Sequence, residues 1–181
     1  EKNAEAFDGE GFYCLGDAVR FFDPDHPEKG LVFDGRVTED FKLNSGTWVS
    51  VGTLRPDIVA ACAPLVADAV VCGQDKPFVG ALLWPSPVAM KGAMEAAGGD
   101  AAKAIGALTV EIAAKLAAFN RTQPGSSRRV GRFKVLTTPP SLDAGDITDT
   151  GYANQRAAQP HGSGDAAAPL AREQGPGVAQ L

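Results

Sequence analysis

Three rhythms of apolar and polar residues run along the chain, and each predicts a different element. From Asp100 to Asn120 the apolar positions Ile105, Leu108, Ile112, Leu116 and Phe119 recur every three or four residues, the spacing of one buried helix face. Asp100 stands where an N-cap belongs. Ala69–Cys72 and Gly80–Trp84 are instead continuous apolar runs, joined by the polar stretch Gly73–Pro77. They predict two adjacent strands buried on both faces. Between Phe41 and Val51 the pattern shortens, with strands predicted at Phe41–Leu43 and Thr47–Val51 around the turn Asn44-Ser45-Gly46. In the second, Trp48 and Ser50 share one face and Thr47, Val49 and Val51 the other.

Punctuation places the remaining elements. Gly52-Thr53, with Pro56 in the first turn, predicts a helix capped by Thr53 and ending near Cys62, before Pro64. A short helix is expected over Pro87–Ala97, closed by Gly98-Gly99, and a strand over Arg132–Leu136. Phe12–Arg36 is rich in turns, with Asp23-Pro24, Pro27 and Gly30, and reads as irregular β structure. The whole predicts a small α+β domain over residues 39–157. Residues 1–38 read as the last piece of another domain. Residues 158–181, rich in Gly, Ala, Pro and Gln with little periodicity, read as a disordered tail.

Composition narrows the function classes. With 181 residues, 44% hydrophobic and 22% charged, the chain can bury one core and remain soluble. No apolar run approaches the eighteen or so residues that a membrane helix needs. A net charge of −5 without a long basic run argues against nucleic-acid partners. The densest cations, Arg128, Arg129, Arg132 and Lys134, suit either one phosphorylated small molecule or a solvated surface. Cys14, Cys62 and Cys72 have no CxxC spacing, and the histidines His26 and His161 stand far apart. These residues suggest reduced thiols in a cytoplasmic protein, with no metal site and no Ser-His-Asp triad. The opening Glu1-Lys2-Asn3-Ala4-Glu5 has neither an initiator Met nor a signal-peptide core, and reads as a cut edge.

Three segments carry chemistry, in order. The first is Gly11-Phe12-Tyr13-Cys14-Leu15-Gly16-Asp17. The second runs from Phe33-Asp34-Gly35-Arg36 through Glu39-Asp40-Phe41-Lys42-Leu43 and Gly46-Thr47-Trp48-Val49 to Val51. The third runs from Phe133-Lys134 through Pro139-Pro140 to Asp149-Thr150-Gly151-Tyr152. Taken alone, Gly16-Asp17 equally describes a loop carboxylate capping its own turn, and the second segment a plain hairpin. Together, over residues 6–155, they resemble the C-terminal part of the AMP-forming acyl- and aryl-CoA ligases of the carboxylate-adenylating superfamily. The wording of residues 39–52 is most similar to feruloyl-CoA synthase.

That resemblance implies the small C-terminal lid of the adenylate-forming fold, preceded by the last β segment of the large N-terminal adenylation domain. It implies that Asp17 accepts the ribose hydroxyls of ATP or AMP through its two oxygens, with Arg36 beside it. Glu39, with Asp40 adjacent, takes the place of the acidic hinge. Lys42, Gly46, Thr47 and Trp48 take the place of the loop that lines the coenzyme A tunnel, where glycine allows close backbone approach. Arg128, Arg129 and Arg132 stand as candidates for the CoA 3′-phosphate. Thr150 occupies the place of the lysine that serves adenylation, and no lysine follows Lys134. The family's phosphate loop and acid pocket are absent from these residues. The chain therefore reads as a fragment of an ATP-dependent ligase, inactive alone, whose parent would use Mg²⁺-ATP, CoA and a carboxylic acid such as ferulate. Its partner would be its own missing N-terminal domain. The alternative is a catalytically degenerate lid serving only as a folded or partner-binding module.

Overall fold

The computed structural model describes residues 6–137 and 178–181. A β-hairpin leads the chain. Strand β1 (Asp17–Phe21) pairs antiparallel with β2 (Leu31–Arg36) across a 3-10 turn at Pro27–Lys29. A second, two-residue hairpin follows, β3 (Phe41–Lys42) with β4 (Trp48–Val49). Then come α1 (Val51–Cys62), β5 (Val66–Cys72), β6 (Val79–Pro85), α2 (Pro87–Ala96), α3 (Ala101–Thr122), β7 (Val130–Val135) and β8 (Val178–Gln180). The main sheet has the order β5-β6-β7-β8, antiparallel except for the parallel pair β6–β7. A parallel neighbour needs a crossover, and α2 with α3 provides it.

One core dominates. Leu54 and Ile58 of α1, Ile105, Leu108, Ile112 and Leu116 of α3, and Val71, Leu83 and Phe133 of the sheet meet there with Phe41, Leu43 and Val49 of the small hairpin. The apolar rhythm of α3 thus faces the sheet as read from the sequence. Asp100 caps that helix by accepting from the Lys103 amide at 3.1 Å. Ser86 does the same for α2, accepting from the Ala89 amide at 3.1 Å. On the sheet's other face Val70, Cys72 and Leu82 form a smaller buried cluster. Part of α1 is tied to β5 by Arg55, whose guanidinium makes a forked contact with Asp68 at 2.7 and 2.8 Å.

Four expectations shift. Helix α1 begins at Val51 rather than after Thr53, so Ser50 is its N-cap and Pro56 lies inside it. The reason is a cap the sequence does not advertise: the Asp40 carboxylate, eleven residues upstream, accepts the Val51 amide at 2.8 Å. The strand read over Thr47–Val51 shrinks accordingly to Trp48–Val49. Within the stretch read as irregular β, β1 and β2 pair, with a register shift between Asp17 and Val19 and residues 12–16 outside the strands. At the other end, Val178–Gln180 is a strand, which corrects the reading of 158–181 as disordered for its final residues. The edge of β7 offers unpaired backbone groups, and Arg132, Phe133 and Lys134 pair with Gln180, Ala179 and Val178. The rest of that tail lies outside the described residues.

Candidate functional site

Asp17 opens β1 and Arg36 closes β2, and antiparallel register makes them partners. The Arg36 Nε lies 4.0 Å from an Asp17 oxygen, and both side chains remain largely open to solvent. The turn that sets them up depends on Gly16, whose φ of +76° few other residues adopt. The Gly16 carbonyl accepts the Val37 amide at 3.0 Å, which closes the end of the hairpin. A carboxylate with two acceptor oxygens beside a guanidinium with several donors can grip a vicinal diol and an adjoining oxygen.

The chain then turns through Val37–Asp40. The Glu39 amide donates to the Arg36 carbonyl at 2.9 Å. Asp40 is half-buried and holds the α1 amide described above. Burial pushes its carboxyl above the ordinary 3.8, the bond from Val51 opposes that, and the nearby Asp34 charge adds to it. Of the two acidic candidates for the hinge, Asp40 therefore has a structural duty at the start of α1.

The small hairpin beyond carries the glycine turn. Leu43 donates to the Thr47 carbonyl and Gly46 to the Leu43 carbonyl, each at 2.9 Å. Gly46 has a φ of +81° and open space where a side chain would stand. Ser45 and Thr47 hydroxyls lie 2.9 Å apart. Trp48 is exposed, and the Lys42 ammonium sits 4.9 Å from its ring centre. Phe41, Leu43 and Val49 point the other way, into the core. Bonds from Asp75 to the Lys42 carbonyl (3.0 Å) and from Asn44 to the Lys76 carbonyl (3.1 Å) tie this ribbon to the β5–β6 loop. Among the described residues it thus packs with the four-stranded sheet and its helices.

The arginines divide among different partners. Arg128 bonds Asp57 of α1, Thr53 at 3.3 Å and Gln123 at 3.0 Å. Arg129 donates twice to the Gln123 carbonyl at the end of α3, at 3.0 and 2.8 Å. Arg132 lies over the Phe78 ring at 4.4 Å. Any phosphate they hold would share donors with these contacts. Thr150 lies outside the described residues.

Cys62 and Cys72 are buried, and burial pushes their thiols up to about 11 and about 12. Neither is a nucleophile near neutral pH. Among the described residues no group of His, Cys, Asp and Glu is placed to hold a metal ion, and no helix is long and apolar enough to cross a membrane. Sequence reading missed the close backbone contact between Gly35 and Gly52. It also missed the Arg55–Asp68 pair, for which no local signal exists, since the partners meet only after α1 packs on β5.

No protein-family model matches the chain. It is 30% identical over 125 residues to the long-chain-fatty-acid–CoA ligase FadD15 of Mycobacterium tuberculosis, over 66% of this chain and 20% of that protein. The chain spans about a fifth of the length of the curated relatives it matches. Among solved structures it resembles the adenylation domain of a carboxylate reductase from Mycobacterium chelonae, with 26% identity and a TM-score of 0.66 over 86% of this chain and 22% of that one. The carboxylic acid reductase adenylation domain from Segniliparus rugosus, solved with AMP and a co-purified carboxylic acid, gives 25% identity and a TM-score of 0.62 over 86% and 23%. The chain has the small α+β fold of the C-terminal portion of adenylation domains of the adenylate-forming fold.

Proposed function

We propose that this chain is the closing part of an AMP-forming acid–CoA ligase, a mobile lid carried on the last hairpin of a nucleotide-binding floor. In the joined cytoplasmic enzyme, a carboxylate attacks the α-phosphorus of ATP, bound with Mg²⁺, and pyrophosphate leaves. Rotation of the lid about Glu39–Asp40 then presents the Gly46 ribbon. The CoA thiol displaces AMP from the acyl-adenylate, giving the thioester. In this reading Asp17 and Arg36 hold the ribose, and Lys42, Gly46, Thr47 and Trp48 line the path of the thiol arm. Arg128, Arg129 and Arg132 are candidates for the CoA phosphate.

The observation that carries this reading is the sequence of three features along one short stretch. The Asp17–Arg36 pair is followed by an acidic turn, and that by a positive-φ glycine on a ribbon held by the lid. The apolar face of β1–β2 supports it as well. Val19, Phe21, Leu31 and Phe33 are all exposed there, a surface suited to burial against the floor. The wording of residues 39–52 favours a hydroxycinnamate such as ferulate as the acid. Thr150, neutral and short, weakens the adenylation step, where one preorganised cation is worth about a hundred- to a thousandfold in rate.

The test has two parts. The purified chain should release no pyrophosphate from ATP with ferulate or with a long-chain fatty acid. Joined to its own N-terminal adenylation domain, Thr150→Lys should raise acid-dependent pyrophosphate release, more with ferulate than with the fatty acid. Release by the chain alone would overturn the reading. No response in the joined protein would favour the degenerate, non-catalytic lid.

A further inference from the structure

Helix α1 carries a glycine as its second residue, although alanine is the better helix former. A neighbour accounts for it. A Cβ on Gly52 would lie 2.2 Å from the Gly35 Cα and 3.0 Å from its nitrogen. Reciprocally, a Cβ on Gly35 would lie 2.9 Å from the Gly52 Cα. Two backbones touch here with no side chain between them. The other helical glycines differ: Gly92 in α2 and Gly106 in α3 have nothing within 4 Å of an added Cβ. Gly35 is constrained twice over, since its φ is +104°.

The contact has a particular place in the chain. Gly35 lies on the hairpin, one residue before Arg36. Gly52 lies on the lid, and the turn Val37–Asp40 connects the two sides. Beside the contact, the Ser50 hydroxyl donates to the Asp34 carbonyl at 3.3 Å. An open polar cleft of about 610 Å³ flanks it, with Arg20 and Asp34 on the hairpin wall and Thr53, Asp57 and Arg128 on the lid wall. Packing along the rest of this junction is therefore incomplete, and the glycine pair and the Ser50 bond supply the close contact.

We infer that Gly35 and Gly52 form a side-chain-free clasp that fixes one orientation of the lid against the hairpin. Turning the lid about residues 39–40 separates these two Cα atoms, so the clasp opens whenever the lid swings. Gly52 is in this sense a positioning residue for the ribose-side pair, because it holds the end of β2 that carries Arg36. The part concerning lid motion rests on the ligase reading; the clasp itself does not.

The test uses the 181-residue chain and hydrogen exchange of individual amides. A methyl group at Gly52 cannot be accommodated by a flexible neighbour, because the atoms it meets are backbone. The hairpin must move off, and a two-stranded hairpin without support is marginal. In Gly52→Ala the amides of the β1–β2 ladder should exchange about tenfold faster or more, while those of β5–β7 keep their protection. Ser50→Ala should give a smaller change in the same direction, and Gly92→Ala none. Unchanged β1–β2 exchange in Gly52→Ala would overturn the clasp, as would equal loss of protection throughout the lid. In the joined ligase, Gly52→Ala should change the ratio of adenylation to thioester formation. Faster exchange with an unchanged ratio would leave the clasp standing and reject its coupling to the swing. Absence of both half-reactions in the unsubstituted ligase would instead reject the ligase reading.

Discussion

Two hairpins that both carry bulky apolar side chains meet opposite fates in this molecule. In β5–β6 the residues Ala69, Val71, Ala81 and Leu83 are sealed beneath helices and neighbouring strands. In β1–β2 the equally apolar Val19, Phe21, Leu31 and Phe33 face outward, between 47% and 61% exposed. The difference lies in what covers each pair. The first has α1 and α3 on one face and β7 along its edge. The second touches the rest of the fold chiefly through Asp34 and Gly35 against the start of α1. Apolar character therefore states what a strand prefers to bury, and the packing partners decide whether it is buried. In β1–β2 the unburied surface supports the proposed floor.

Core substitutions should separate the two regions most sharply. Phe133→Ala and Ile112→Ala remove side chains that are fully buried and should cost about 3–5 and about 2–5 kcal/mol respectively. Phe33→Ala on the exposed hairpin should stay within about 0.5 kcal/mol. Urea unfolding followed by far-UV circular dichroism distinguishes these outcomes, and a costly Phe33→Ala would mean the hairpin already has a core. Next in size is the junction between α1 and β5. Asp68→Ala removes the forked acceptor of the Arg55 guanidinium, only 17% exposed, and should cost about 1–3 kcal/mol. A loss below about 0.5 kcal/mol would reduce that pair to a surface contact. Asp100→Ala removes the cap of α3 and should cost about 1 kcal/mol in the same assay.

The smallest effect is pH-dependent and sits between the two regions. The folded Asp40 carboxyl is raised above its ordinary value, first by burial. A raised group holds its proton more tightly in the folded state. Its contribution is fully present below the unfolded value near 3.8 and is lost as pH rises through the folded one. Asp40→Asn keeps an oxygen for the Val51 amide and removes the charge. At pH 7 it should equal or slightly exceed the parent chain in stability, within about 0.5 kcal/mol after allowance for solvent screening. The difference should shrink as the pH falls towards 4. A variant clearly weaker at pH 7 would mean that the Val51 bond needs the full charge.

These contrasts also show what the sequence could disclose. The buried face of α3, the apolar hairpin β5–β6 and the Asp100 cap are local patterns, and each was legible from spacing alone. The Asp17–Arg36 pairing was legible only through resemblance, because register across a hairpin is set by the turn between them. The early start of α1 was not legible, since its cap comes from Asp40 rather than from an adjacent residue. The Gly35–Gly52 contact was also hidden: Gly52 looked like a helix-starting punctuation mark, and only the fold brings another backbone against it. Val178–Gln180 joined the sheet because an open edge accepts almost any extended segment, a preference that composition does not encode.

The central claim is that the lid brings its glycine ribbon to an acyl-adenylate held on a floor, and thioester formation from presynthesised feruloyl-adenylate and CoA tests it most directly. In the joined ligase the unsubstituted lid should form the thioester whatever residue stands at 150, and Gly46→Val should slow that step about a hundredfold. Thioester formation at an undiminished rate in Gly46→Val, or none with the unsubstituted lid, would contradict the account.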